Sequence, residues 1–124
     1  MGIFDGFLGN ASEVDLEKVE TEMEMLLTEE EKLENVFKII RDLIVFTNKR
    51  LVFVDKQGVT GKKTEYHSIP YRSITTFSVE TAGSFDIDSE LKIWISGIGE
   101  PIIKEFKKGD EIHHVHRVLA AHVL

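Results

Sequence analysis

Seven short runs of β-branched and aromatic residues, separated by turn residues, lie between residues 36 and 106 of this 124-residue sequence. Such runs favour strands over helices, because branched and aromatic side chains pack well on a pleated surface. A chain with this pattern is expected to form an antiparallel meander whose edges must be covered. The predicted strands are Val36-Phe37 with Ile39-Ile40, Leu43 to Phe46, Leu51 to Val54, Thr64 to Ile69, Ile74 to Thr81, Leu91 to Ile95 and Ile102 to Phe106.

Turn chemistry separates these strands. Thr47-Asn48-Lys49-Arg50 predicts a tight hairpin, since asparagine tolerates the positive φ that such turns need. The stretch from Gln57 to Lys63 contains two glycines and predicts a second turn, and Pro70 ends the next strand because proline cannot donate to a ladder. Residues 82–89 read as a loop, and 97–101 as a further turn.

Amphipathic segments lie on either side of the strands. Ser12 and Asp15 resemble a capping box, and the apolar spacing that follows predicts a helix over about 13–26. The other face of this helix is acidic, which we interpret as a solvated surface. It consists of Glu13, Glu17, Glu20, Glu22 and Glu24.

A second helix is predicted over about 110–123, with Asp110 as its cap. Its apolar face, spaced as in an α-helix, consists of Ile112, Val115, Leu119 and Val123. Meander strands followed by one amphipathic helix indicate a partly open barrel with the helix closing one end.

Composition restricts the function. The length suits one domain, and the absence of cysteine removes disulfides, thiolate metal sites and cysteine nucleophiles. The sequence has no apolar run of about 20 residues and no secretory signal, so we expect a cytoplasmic protein.

Charge is uneven along the chain. Residues 1–35 carry 11 acids and 2 bases, residues 36–75 carry 3 acids and 8 bases, and residues 76–124 carry 8 acids and 5 bases, for a net charge of -7. An acidic chain repels nucleic acid unless its bases are concentrated. We therefore expect no nucleic-acid partner.

Two stretches together resemble the bacterial pleckstrin-homology (PH) family, formerly a domain of unknown function. The first runs from Asp42 to Gly58 and contains the TNKRL hairpin, and the second runs from Tyr66 to Ile74 and contains the IPYRSI entry into a strand. The resemblance covers nearly the whole chain. It implies an α+β fold, a PH-like roll of about seven antiparallel strands closed by a C-terminal helix, here with an additional N-terminal helix.

The same resemblance implies no catalytic activity, no cofactor and ring-like homo-oligomers. We divide the chain into an acidic helical segment, residues 1–30, packed on a PH-like domain, residues 31–124, and we expect the two to form one structural unit. Eukaryotic relatives bind phosphoinositides through basic residues between their first two strands. Here that loop holds Arg41 beside Asp42, so this binding is not expected.

Four apolar residues near the N-terminus form a candidate oligomer interface, because large apolar side chains seldom stay in water. They are Ile3, Phe4, Phe7 and Leu8. Docking on the chain's own sheet, insertion into a neighbouring subunit and contact with a membrane surface all remain open.

Six bases form a candidate patch for a ligand or partner, if their hairpins lie side by side. They are Lys49, Arg50, Lys56, Lys62, Lys63 and Arg72. Pairing with the acidic first helix of another subunit is an alternative use, and scattered solubilising charges are another.

The sequence does not indicate catalysis or metal binding. His113 and His116 share a helix face, but no third metal ligand can be placed with them. No nucleophile motif joins Ser, His and Asp. The leading hypothesis is a self-associating PH-like module that presents a surface to a protein partner. The alternative is a peripheral lipid-surface or anionic-ligand binder.

Overall fold

The computed structural model describes residues 4–9, 13–39, 42–57, 63–81, 88–107 and 111–124. The described elements, in chain order, are β1 (Phe4–Gly9), α1 (Glu13–Met23), β2 (Leu33–Ile39), β3 (Asp42–Thr47), β4 (Arg50–Gln57), β5 (Lys63–Pro70), a 3-10 turn (Tyr71–Ser73), β6 (Ile74–Glu80), β7 (Ser89–Ile95), β8 (Ile102–Phe106) and α2 (Ile112–Val123). The chain divides into two compact units, Met1–Ser68 and Ile69–Leu124.

The first unit is built on a five-stranded sheet with the order β1-β2-β3-β4-β5. β3 pairs antiparallel with both β2 and β4, with Val45 opposite Val36 on one side and Val52 on the other. Every residue from Leu43 to Thr47 is buried. Consecutive apolar residues suit such a strand, because both of its faces exclude water.

Helix α1 covers one face of this sheet. Val19 and Met23 lie four residues apart, so they share one side of the helix, and both are buried. They pack in a cluster of sheet residues with Leu26, Leu27 and Tyr66 at its margin. The buried sheet residues of the cluster are Leu33, Val36, Leu43, Val45, Val52 and Val54.

The second unit combines a three-stranded antiparallel sheet, β6-β7-β8, with α2. Leu91 and Ile93 of β7 are buried on the inner face of the sheet. Helix α2 buries Ile112, Val115 and Leu119, which recur at helical spacing. Neither described helix is long and apolar enough to cross a bilayer.

The structure confirms the α+β, PH-like fold class. The seven predicted strands correspond to β2–β8, the Asn48-Lys49 hairpin joins β3 to β4, and Pro70 ends β5. The helices are shorter than predicted: α1 ends at Met23, and α2 begins at Ile112. Asp110, the glycines of the 57–63 turn and residues 82–87 lie outside the described residues, and the boundary at residue 30 stays a prediction.

β1 is the element that the sequence patterns missed. Its backbone pairs in parallel with β2, with Phe4 opposite Leu33 and Gly9 opposite Val36. The register shifts between Phe4 and Leu8. The strand thus adds an eighth member to the seven predicted, on the outer side of β2.

Candidate protein-contact surface

Arg50, at the start of β4, is held by a buried acid instead of facing a ligand. Its Nε and Nη2 donate to the Glu31 carboxylate at 2.8 and 3.0 Å, and Nη2 also donates to the Leu26 carbonyl at 2.6 Å. Nη1 donates to the Ser68 hydroxyl at 3.0 Å. The side chain of Glu31 is 1% exposed. This arginine therefore ties the segment after α1 to the sheet.

Glu31 stays ionised despite its burial. Burial alone would raise the pKa of Glu31, but hydrogen bonds from Arg50, Thr47 and the Thr28 N–H outweigh it and leave the pKa below its ordinary value. Thr47 Oγ1 donates to the carboxylate at 2.6 Å. The group is a structural anchor with its acceptor capacity occupied.

Lys56, on β4, is also engaged by an acid of the same chain. Its Nζ lies 3.0 Å from Oε2 of Glu22 on α1, and Tyr66 Oη donates to the same oxygen. Burial, followed by the hydrogen bond and charge of Glu22, raises the pKa of Tyr66 to about 12. The interpretation of the acidic helix face as a solvated surface is thus wrong for Glu22.

The remaining bases of the predicted patch are exposed or lie outside the described residues. Lys49, Lys63 and Arg72 are exposed, and Lys62 is not described. The side chains of Phe4, Phe7 and Leu8 and the whole of Ile3 also lie outside the description, so the N-terminal interface stays a prediction. Two of the six bases already have internal partners, which leaves fewer for an anionic ligand.

The outer face of the second unit's sheet combines apolar, polar and charged side chains. Cross-strand register places Thr76 opposite Trp94, and Ser78 opposite Lys92, which in turn lies opposite Ile103. Directly opposite residues of antiparallel strands point to the same face. This β6–β8 outer face consists of Thr76, Ser78, Glu80, Glu90, Lys92, Trp94, Ile103 and Glu105.

One end of the β6–β8 outer face is apolar. Ile103 is 49% exposed, and half-buried Trp94 lies diagonal to it across the β7–β8 pair, within reach of an aromatic ring. Ile98, in the turn after β7, is 56% exposed. Gly97 adopts φ of 82°, so the turn can close with the Ile98 N–H donating to the Ile95 carbonyl at 3.0 Å.

The opposite end is acidic. Glu80 lies opposite Glu90, and Glu90 opposite Glu105, so three carboxylates form one cross-strand row. With Thr81 and Asp88 they line a cleft of about 360 Å³. Like charges in this arrangement destabilise a sheet. A nearby ion pair joins Lys107 to Asp88 at 2.8 Å.

Two of the α2 histidines contact aromatic rings of their own unit. His122 stacks on Tyr71 with a centroid distance of 4.4 Å, and His116 meets Phe77 edge-on at 5.4 Å. His113 is exposed. Within the described ranges, no three His, Asp or Glu side chains converge as metal ligands would.

Sequence reasoning did not identify the cross-strand rows as a surface. The sequence placed Trp94 and Ile103 only within predicted strands. The alternation within β7 could have predicted part of this surface, because Glu90, Lys92 and Trp94 share a face. Pairing them with Ile103 and Glu105 required the register of β8.

The chain is similar to known proteins over nearly its whole length. A family model described as Bacterial PH domain matches residues 2–123. The uncharacterized protein YjqA of Bacillus subtilis (strain 168) is 61% identical over 122 residues, which cover 98% of each chain.

Two crystal structures from Shewanella are also similar. A pleckstrin homology domain from Shewanella amazonensis shows 54% identity and a TM-score of 0.84, with 94% of each chain covered. A DUF1696 family protein with a pleckstrin-homology domain from Shewanella loihica shows 50% identity and a TM-score of 0.79, with 94% of this chain and 100% of that one covered. The chain therefore belongs to the bacterial PH domain family.

Proposed function

We propose that the chain is a non-catalytic binding module that associates with copies of itself and presents a protein-contact surface. The observation that carries the proposal is the apolar end of the β6–β8 outer face, where exposed Ile103 lies diagonal to Trp94 and the turn after β7 exposes Ile98. When a partner covers apolar groups that lie together on a surface, their removal from water lowers the free energy and favours binding.

The position of this apolar end supports a partner that is itself a protein. β8 is the last strand in the order β6-β7-β8, so in the described part of the chain it pairs only with β7. An edge strand offers backbone donors and acceptors to another chain. A second copy that covers Ile103 would also satisfy this edge, and repeated contacts of that kind give closed assemblies when they are symmetric.

The alternative, binding to a lipid surface or an anionic ligand, has weaker support. Glu31 and Glu22 already neutralise Arg50 and Lys56 within the chain. An anion must then compete with tethered carboxylates or use the exposed bases alone. Flotation with anionic liposomes tests this alternative, since salt-sensitive binding would favour it over pure assembly.

Substitution of Ile103 tests the proposed surface. We expect Ile103→Glu to weaken self-association roughly tenfold or more, because a charge must be buried against the partner. Light scattering after size-exclusion chromatography measures the molar mass over a range of concentrations. The matched control is Met25→Glu, which makes the same change at a residue that is 86% exposed in the first unit. Equal effects of both variants would contradict the assignment of this surface.

The N-terminal segment is tested separately with a chain that lacks residues 2–9. If Ile3, Phe4, Phe7 and Leu8 reach a neighbouring subunit, this chain forms a smaller assembly while it remains folded. An unchanged molar mass would remove these residues from the interface and leave the β6–β8 outer face as the contact.

A further inference from the structure

We propose that the sheet face beneath α1 is a binding site for acidic amphipathic helices, and that α1 occupies this site within its own chain. The face, here named the helix-binding face, consists of Val36, Leu43, Val45, Val52 and Val54, with Lys56 and Tyr66 at its margin. This inference goes beyond the proposed function, because the helix-binding face is a different surface from the β6–β8 outer face and would take a different kind of partner.

Two residues of α1 pack against the apolar part of the site. Val19 and Met23 are 3% and 1% exposed, and they belong to the same cluster as the helix-binding face. Anchors at positions i and i+4 are the usual means by which an amphipathic helix lies in a hydrophobic groove. The face thus accepts a helix by shape and apolarity at two points one turn apart.

The polar part of the site recognises a carboxylate. Lys56 Nζ and Tyr66 Oη both contact Oε2 of Glu22, which precedes the Met23 anchor by one residue. One cation and one hydroxyl that converge on a single oxygen select an acid over a neutral or basic side chain. Charge complementarity therefore specifies the partner helix as acidic next to its second anchor.

The segment that follows α1 is held more firmly than the helix itself. The helix has 11 residues, and its last turn contains no base, although cations stabilise that end of a helix. A helix this short is marginal on its own, so its order depends on docking. The chain after it is fixed by Glu31, whose side chain is 1% exposed, whereas that of Glu22 is 17% exposed.

Tethering explains why α1 holds the site in the isolated chain. A segment joined by a short linker competes at an effective concentration on the order of 1 mM. A free helix can displace α1 only if its concentration, relative to its affinity, exceeds that effective concentration, unless the internal contact of Glu22 is weakened. Weakening this contact is therefore the way to reveal the site.

The test is a titration of the full chain with a fluorescently labelled peptide of residues 13–27. Glu22→Lys places a cation beside Lys56, so α1 docks less well, while the peptide still offers its own acid. We expect this variant to bind the peptide at least tenfold more tightly than the unmodified chain. Glu17→Lys makes the same charge change at an exposed position of the helix and should bind as the unmodified chain does.

The charge-swapped variant Glu22→Lys with Lys56→Glu provides the rescue. It restores the internal pair and repels the peptide's acid, so peptide binding should return to the unmodified level. The inference is overturned if Glu22→Lys gains no affinity, if Glu17→Lys gains as much, or if the swap leaves binding high. These outcomes do not depend on molar mass, so the proposed self-association can stand or fall separately.

Hydrogen exchange of the unmodified chain keeps the test decisive if Glu22→Lys does not fold. The amides of α1 should exchange at least tenfold faster than those of β3 under native conditions, because the helix opens without the sheet. Equal rates in α1 and β3 would show that the helix does not leave its site, and would overturn the inference.

Discussion

At the scale of single residues, two ion pairs of similar length have different surroundings. Arg50 meets Glu31 at 2.8 Å and Lys56 meets Glu22 at 3.0 Å, yet the side chain of Glu31 is 1% exposed and that of Glu22 is 17% exposed. Breaking a pair whose acid is fully buried leaves an uncompensated charge, whereas water can reach the acid of a partly exposed pair and solvate it. Burial, not distance, decides how much each pair contributes to stability.

Arg50→Ala should therefore destabilise the fold by about 3–5 kcal/mol. Lys56→Ala is the matched comparison, and it should cost at most about 1 kcal/mol. Urea denaturation gives both free energies of unfolding. Equal costs for the two variants would contradict the role of Glu31 as the buried anchor.

Tyr66 provides a pH prediction. Burial and Glu22 raise the pKa of Tyr66 to about 12 in the folded chain, above the ordinary value of about 10. Its contribution to stability is thus fully present below about pH 10, and is lost as the pH rises through about 12.

The measurement for Tyr66 uses Tyr71→Phe, which leaves one tyrosine to titrate. Tyrosinate absorbance after a rapid pH jump should show a midpoint near 12. Adding Glu22→Gln removes the neighbouring charge, so the midpoint should fall towards the ordinary value. A midpoint near the ordinary value with Glu22 intact would show that the contact is absent.

At the scale of elements, local patterns were sufficient for β2–β8 and α2. The runs Leu43 to Phe46 and Leu51 to Val54 predicted strands, and the Asn48-Lys49 turn between them fixed their pairing as a hairpin. Residues close in sequence decide these features. The spacing of Val115 and Leu119 predicted the buried face of α2 in the same way.

β1 could not be predicted by the same means. Asp5, Gly6 and Gly9 interrupt its apolar pattern, and glycine weakens a strand. Its partner is β2, with α1 lying between them in the sequence. The backbone pairing of β1 is a long-range parallel contact, which no local pattern encodes.

Gly97 should be required for the turn between β7 and β8. Its φ of 82° is unfavourable for any residue with a Cβ, although a Cβ there would meet no neighbouring atom within 4 Å. Gly97→Ala should therefore cost about 1 kcal/mol through the backbone alone.

Gly99→Ala is the control for this turn, because the space around Gly99 is equally open and its φ is not in the left-handed region. Its effect should stay within about 0.5 kcal/mol. Thermal unfolding compares the two variants. If both cost the same, the turn does not depend on the conformation of Gly97.

At the scale of the whole molecule, the charge asymmetry of the sequence is partly resolved inside the first unit. Residues 1–35 supply Glu22 and Glu31, and residues 36–75 supply their partners Lys56 and Arg50. Composition predicted that the acidic and basic segments could meet. It could not show that they meet within one chain, since Lys56 lies 34 positions after Glu22.

The proposed contact surface could not be predicted from the sequence for the same reason, since it joins residues that are distant in sequence. β7 by itself places Trp94 and Lys92 on one face, but only the register of β8 sets Ile103 beside them. Family membership establishes the fold, whereas the proposed contact surface rests on side chains that lie next to one another across strands. The central claim is therefore about assembly.

The most direct test of that claim is the molar mass of the unmodified chain. Light scattering after size-exclusion chromatography at micromolar concentrations should show a defined multiple of the 14.1 kDa chain mass. A value of 14.1 kDa that persists as the concentration rises would contradict self-association. The exposed apolar end of the β6–β8 outer face would then have to serve a different partner.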